Sequence, residues 1–161
     1  MDFQIGDRVV HYAYGLGQVL AIEERSYNNS TILYYMISVA DLIVWVPADD
    51  NLKNRLRHPS GAKEFRKSLS ILEGPAQPLP QDRRQRTLQL QEILKDGRVE
   101  SLCRVIRDLG AHRTDRNWNE HDQALMKRVQ NALIGEWSFI LSITSMEAEV
   151  ELRRLLSHRA C

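Results

Sequence analysis

The hydrophobic period of this chain changes once, near residue 57, and that change limits the fold more than any other feature. Before it, Arg8–Tyr12, Gln18–Ile22, Thr31–Val39 and Leu42–Val46 are short runs rich in β-branched and apolar residues, the composition of strands. Turn residues separate them. Gly15-Leu16-Gly17 offers two glycines free to adopt positive φ, Asn28-Asn29-Ser30 offers a tight reversal, and Ala40-Asp41 and Pro47-Ala48-Asp49-Asp50 close the later runs. Four or five strands within the first 50 residues or so predict a small antiparallel barrel, because closure hides sheet edges from unwanted pairing.

After Leu56 the apolar spacing becomes helical. Ser60 is placed to cap a helix over 61–72 that Gly74 ends, and Pro75, Pro78 and Pro80 form a stiff connector. Asp82 caps a second helix ending near Asp96-Gly97, with Leu90, Ile93 and Leu94 on one face. A third spans Val99–Leu109, with Leu102, Ile106 and Leu109 inward and Gly110 as its stop. Asn117 or Asn119 caps the fourth and longest, Glu120–Leu141, whose stripe is Leu125, Val129, Ala132, Leu133 and Ile140. Thr144-Ser145-Met146-Glu147 is a capping box opening a last helix that ends near His158. The fold class is therefore α+β: a β module over 1–57, then an all-α helical domain over 58–161, joined through the polar stretch Asp49–Ser60.

Charge divides at the same place. Residues 1–60 carry 5 basic and 7 acidic side chains, and residues 61–161 carry 17 and 14, so −2 faces +3 within a net charge of +1. That balance excludes a histone-like polycation and leaves a local basic face open. No apolar run is long enough for a membrane helix, and the N-terminus lacks a secretory pattern. Cys103 and Cys161 are too few for a disulfide framework or a zinc knuckle. The expected compartment is the cytoplasm.

Catalytic chemistry finds little support. His11, His58, His112, His121 and His158 show no metal-ligand spacing, Gly15-x-Gly17 lacks the third glycine of a dinucleotide loop, and no G-x-S-x-G occurs. No cofactor is expected. Cys103 falls on a helix stripe and reads as packing. Two basic groups stand out: Arg83, Arg84 and Arg86 with Lys95 and Arg98, and Arg104, Arg107, Arg113 and Arg116. Arginine forks suit phosphate oxygens. The interleaved Asp82, Glu92, Asp96, Asp108 and Asp115 equally fit a solvated, salt-bridged helix face. The β module concentrates Tyr12, Tyr14, Tyr34, Tyr35 and Trp45. Alternation in Leu42–Val46 sets Ile43 and Trp45 on the face opposite Leu42, Val44 and Val46. An outward Ile43 and Trp45 would form an apolar patch that wants a partner. Trp137 reads as core, and Trp118 as a hydrophobic staple ahead of the fourth helix.

Several collinear motifs resemble one family. Phe3-x-Ile5-Gly6-Asp7-x-Val9-Val10-His11, Gly15-x-Gly17-x-Val19, Ile22-Glu23-x-Arg25, Tyr34 and Asp41-Leu42-x-Val44-x-Val46-Pro47 resemble the opening of the CarD/CdnL family of bacterial RNA polymerase-binding regulators. Leu94-x-x-Gly97, Val105–Leu109, Leu133-x-Gly135-Glu136 and Glu147-Ala148-Glu149 extend the likeness through the helical half. The first motif is also similar to the polymerase-interaction module of transcription-repair coupling factors, whose helicase motifs are absent here.

The resemblance implies a Tudor-like barrel docking on the RNA polymerase β subunit. It also implies a helical domain at promoter DNA near the upstream edge of the melted region, stabilisation of the open complex, no catalysis and a monomer. By motif, Arg25 falls at a polymerase-contact position, and Trp45 falls where many members carry an arginine. The expected docking residues are Arg25, Ile43 and Trp45. The position of the family's minor-groove tryptophan is Arg83, and nearby basic positions fall on Leu88 and Gln123. An arginine cannot unstack bases as an apolar plate does. The implied DNA contacts are thus Arg83, Arg84 and Arg86. The alternative is a polymerase-binding adaptor with weak or no DNA binding.

Overall fold

The computed structural model describes residues 3–115 and 119–158. Its chain divides into two units, one through Pro59 and one from Ser60 onward. The first unit is a five-stranded antiparallel sheet: β1 Arg8–His11, β2 Gly15–Tyr27, β3 Ser30–Val39, β4 Leu42–Pro47 and β5 Leu56–Arg57. The spatial order is β4-β3-β2-β1-β5. The expected barrel is therefore not closed, since β4 and β5 are its two edges. Closure needs a continuous ladder between first and last strands. Here β5 has only two residues, both committed to β1. The gap is bridged by a side chain: Arg55 Nη1 donates to the Pro47 carbonyl at 3.3 Å and to Asp49 Oδ1 at 2.6 Å. The stretch from Asp49 is thus no linker. It carries a 3₁₀ turn at Leu52–Asn54, and Leu52 and Leu56 are buried in the sheet core.

That core consists of Phe3, Val9, Val19, Tyr35, Ile37, Val39 and Val46 together with Leu52 and Leu56. Phe3 meets Tyr35 edge-on at 5.6 Å. Asn28 and Asn29 both take positive φ (49° and 65°), giving the tight β2–β3 reversal their sequence predicts. Gly15 also has positive φ (92°). Gly17 is needed for a different reason than expected: a Cβ there would lie 2.5 Å from the Ser38 carbonyl oxygen and 2.6 Å from Val39 Cγ2. The position requires a bare backbone where β2 packs against the end of β3.

The second unit comprises α1 Ala62–Leu69, α2 Arg83–Leu94, α3 Val99–Asp115, α4 Glu120–Leu141 and α5 Ser145–Ser157. Its core gathers Phe65, Leu72, Leu90, Ile106, Leu109, Leu133 and Trp137. Three of the caps form as read, with Asn119 the one of its two candidates that caps α4. Asp82 accepts from the Gln85 amide, Asn119 from the Asp122 amide, and Thr144 with Glu147 makes the reciprocal box. Two boundaries differ. The first helix is capped by Gly61 without a side-chain bond and tightens into a 3₁₀ turn over Ser70–Glu73. Gly110 does not stop α3, which continues to Asp115, because buried Leu109 and its neighbours hold that turn against the core. No described helix is long and apolar enough to cross a membrane.

Four buried charged residues organise this unit. Glu136, fully buried, accepts from the Ser60 amide at 3.0 Å. Asp108 accepts from the Gln77 amide at 2.9 Å and from Arg107 Nε at 2.8 Å. Arg86, only 5% exposed, donates Nε and Nη2 to both oxygens of buried Asp122, at 3.2 and 2.8 Å. Its Nη1 donates to the carbonyls of Pro80 and Gln81, both at 3.1 Å. One guanidinium thereby fixes the end of the proline connector, the start of α2 and the start of α4. Removing a single partner from such a pair leaves an uncompensated buried charge. Asp122→Ala is expected to cost about 3–5 kcal/mol of stability, read by urea unfolding on the fluorescence of buried Trp137. Arg86→Met with Asp122→Leu should recover most of it; equal loss in both would refute this role.

The β1–β2 turn carries a titratable lock. His11 Nδ1 accepts from the Ala13 and Tyr14 amides at 3.0 and 3.3 Å, and the ring lies 4.9 Å from Tyr14. Burial lowers the His11 pKa from its ordinary 6.5, and the acceptor role of Nδ1 requires the neutral ring. The stabilisation is present above the unfolded value and is lost as pH falls through the lower folded value. An NMR titration should place the His11 midpoint below 6.5; a midpoint above it would contradict the geometry.

Candidate docking and nucleic-acid surfaces

The first surface is built by strand alternation plus one irregularity. On β3, Tyr35, Ile37 and Val39 face the core, so Tyr34, Met36 and Ser38 face outward. On β4 the pairing Met36↔Trp45 and Ser38↔Ile43 puts Trp45 and Ile43 on that outer face, as their alternation predicts. Leu42 belongs to the inner set yet is 48% exposed, because it begins the strand at the turn. β2 would present the wrong residues without correction. Val19 is buried opposite Ile37, and strict alternation would send residues 21, 23 and 25 inward. A register shift between Val19 and Ala21 inserts Leu20 as an extra residue. Ile22 then lies opposite Tyr35 on the core side, while Glu23 and Arg25 lie opposite Tyr34 and Ile32 on the outer side.

The outer face therefore brings Arg25, Ile43 and Trp45 together, with Tyr34 and Met36 between them. Ile43 is 52% exposed and Trp45 36%. The Arg25 Cζ lies 4.3 Å from the Trp45 ring centroid and 5.9 Å from that of Tyr34, a cation–π arrangement worth about 0.5–1 kcal/mol at an exposed site. Among the described residues, no carboxylate pairs with Arg25. Sequence reasoning singled out Tyr34 only as an aromatic. Its place under Arg25 depends on the Leu20 bulge, for which the sequence carries no marked signal.

The second surface is the start of α2. Arg83 and Arg84 are exposed in its first turn, and neither side chain makes a hydrogen bond or ion pair among the described residues. Arg86 is a correction. Its guanidinium is held by Asp122 inside the fold and offers no surface donor for DNA. The interleaved acids serve elsewhere: Asp82 caps α2, Glu92 pairs with Lys95 at 2.7 Å, Asp96 binds the Arg98 amide and Ser101 Oγ, and Asp108 holds Arg107. They do not neutralise Arg83 or Arg84. Cations at the positive end of a helix gain nothing from its dipole, so helix stability does not account for this pair. Leu88, one turn on, is 61% exposed, and Gln123 is exposed in the first turn of α4. The side chains of Arg113 and Asp115, and Arg116, Asn117, Trp118 and Cys161, lie outside the described residues.

Cys103 is buried, and burial pushes its thiol up to about 12, which keeps it protonated and inert. Among the described residues no group of three or more His, Cys, Asp or Glu is placed to hold a metal.

Comparison with known proteins agrees in both halves. Residues 3–58 match the family described as CarD-like/TRCF RID domain, and residues 67–153 match CarD, C-terminal domain. A relative from Bacillus subtilis (strain 168), named "Putative transcription factor YdeB", is 24% identical over 147 residues, covering 90% of this chain and 96% of that protein. The chain belongs to the CarD-like family of transcription regulators, which are not enzymes, and joins an RNA polymerase-interacting domain to a helical C-terminal domain.

Proposed function

We propose that the chain docks on the RNA polymerase β subunit through the outer face of its sheet and modulates the stability of the open promoter complex. It acts as a cytoplasmic monomer, without cofactor. The observation that carries this reading is the exposed Ile43 and Trp45 beside an Arg25 that pairs with no carboxylate among the described residues, in a domain of the polymerase-interacting family. A solvent-facing apolar pair flanked by a cation has no use within the sheet, and it matches the anatomy of an interface core.

For the helical domain, we propose that Arg83 and Arg84 contact promoter phosphates or a narrow minor groove near the upstream edge of the melted region. A ligand that binds the open complex better than the closed one shifts that equilibrium by its differential affinity alone. The adaptor reading, with polymerase binding and no DNA contact, draws support from the withdrawal of Arg86 into the core and the exposed Leu88 where a cation would help. Open-complex dissociation on one promoter separates the two. Wild type should change the lifetime given by polymerase alone, and Ile43→Glu should return it to that value. Arg83→Ala with Arg84→Ala should shrink the effect and lower the log–log salt slope by about 1 for each lost phosphate contact. An unchanged slope with docking intact favours the adaptor. A wild type that does not bind polymerase refutes both.

A further inference from the structure

We infer that Tyr34 and Trp45 are positioning residues for Arg25, and that the three side chains form one recognition element for a carboxylate on the docked partner; this rests on the docking reading above. The argument begins with an arginine on a two-stranded stretch. Arg25 lies in β2 beyond the reach of β1, which pairs only with Gly15–Gln18. Its sheet neighbour there is Ile32 on β3. Left alone, a long side chain at such a site samples many rotamers, and that freedom is lost on binding. Here the guanidinium reaches across Tyr34 to lie 4.3 Å over the Trp45 ring.

A guanidinium over an aromatic ring offers the ring its face and directs its N–H donors along its edges. The contact confines Arg25 without consuming its hydrogen bonds, and no carboxylate among the described residues takes them. Glu23 and Glu24 are adjacent in sequence and exposed, yet neither pairs with it. On a protein partner, the anionic acceptor that matches such a fork is a side-chain carboxylate. A fork of free donors beside exposed Ile43 fits a carboxylate next to an apolar side chain. Trp45 then acts largely through Arg25 and only secondarily by its own contact.

The test is a double-mutant cycle on the affinity of the full chain for core RNA polymerase. Arg25→Ala and Trp45→Ala should each weaken binding by about tenfold, and the double variant by about the same factor rather than a hundredfold, because neighbours acting as a unit are not additive. Trp45→Phe, which keeps a ring, should retain most of the affinity. In the free chain, the Arg25 side-chain protons should show an upfield ring-current shift that Trp45→Ala abolishes and Trp45→Phe keeps. Multiplicative losses, or an Arg25 shift that Trp45→Ala leaves unchanged, would overturn the positioning role while leaving docking intact. Failure of the wild type to bind would remove the docking reading and this inference with it.

Discussion

One extra residue in a strand decides what the sheet shows to a partner. Side chains alternate with a period of two, so a single insertion moves every later residue to the opposite face. Leu20 is that insertion. Upstream of it, Val19 fills the core; downstream, Ile22 takes over the inner role and Arg25 turns outward to meet Tyr34 and Trp45. Without the bulge, Arg25 would be aimed at the sheet interior, where an unpaired cation is not tolerated. The open sheet follows the same economy. β4 remains an edge carrying Ile43 and Trp45, while Arg55 rather than a ladder ties its end to the turn after it.

The helical unit sorts its charges by burial. Arg86, Asp108, Asp122 and Glu136 are inside, and the bonds around them pin segments that apolar contact alone would not orient: the connector end, Gln77 and Ser60. Arg83 and Arg84, in the same helix as Arg86, are outside, and their side chains are unengaged among the described residues. Three arginines within four positions thus have two unrelated roles. The buried one is structural because a carboxylate from α4 meets it, and the exposed pair is available because their neighbouring acids cap helices or pair with other groups.

This sorting also explains what was legible in the sequence. Helix caps at Asp82, Asn119 and Thr144 are local signals and form as their spacing predicts. The Asn28-Asn29 turn and the outward Ile43 and Trp45 are local as well. What escaped depends on distant partners. The polar extension of β2 through Glu23–Tyr27 is strand because β3 pairs with it, not because of its own composition. β5 exists through β1, and its two residues leave no pattern to read. Gly110 looked like a stop but lies in a helix held by its tertiary contacts. Arg86 resembled its neighbours until Asp122 came within hydrogen-bond reach. The family likeness singled out Arg25 and position 45, while the stack between them depends on the shifted register of β2.

The central claim is that the outer face of β3 and β4 meets the polymerase. It is tested most directly by a photo-crosslinking residue, benzoylphenylalanine, placed at Ile43 and, for comparison, at Val150, an equally exposed apolar residue of the other unit. The account predicts crosslinks from position 43 to the β subunit and none to it from position 150. Crosslinks from position 150 with none from position 43 would contradict it.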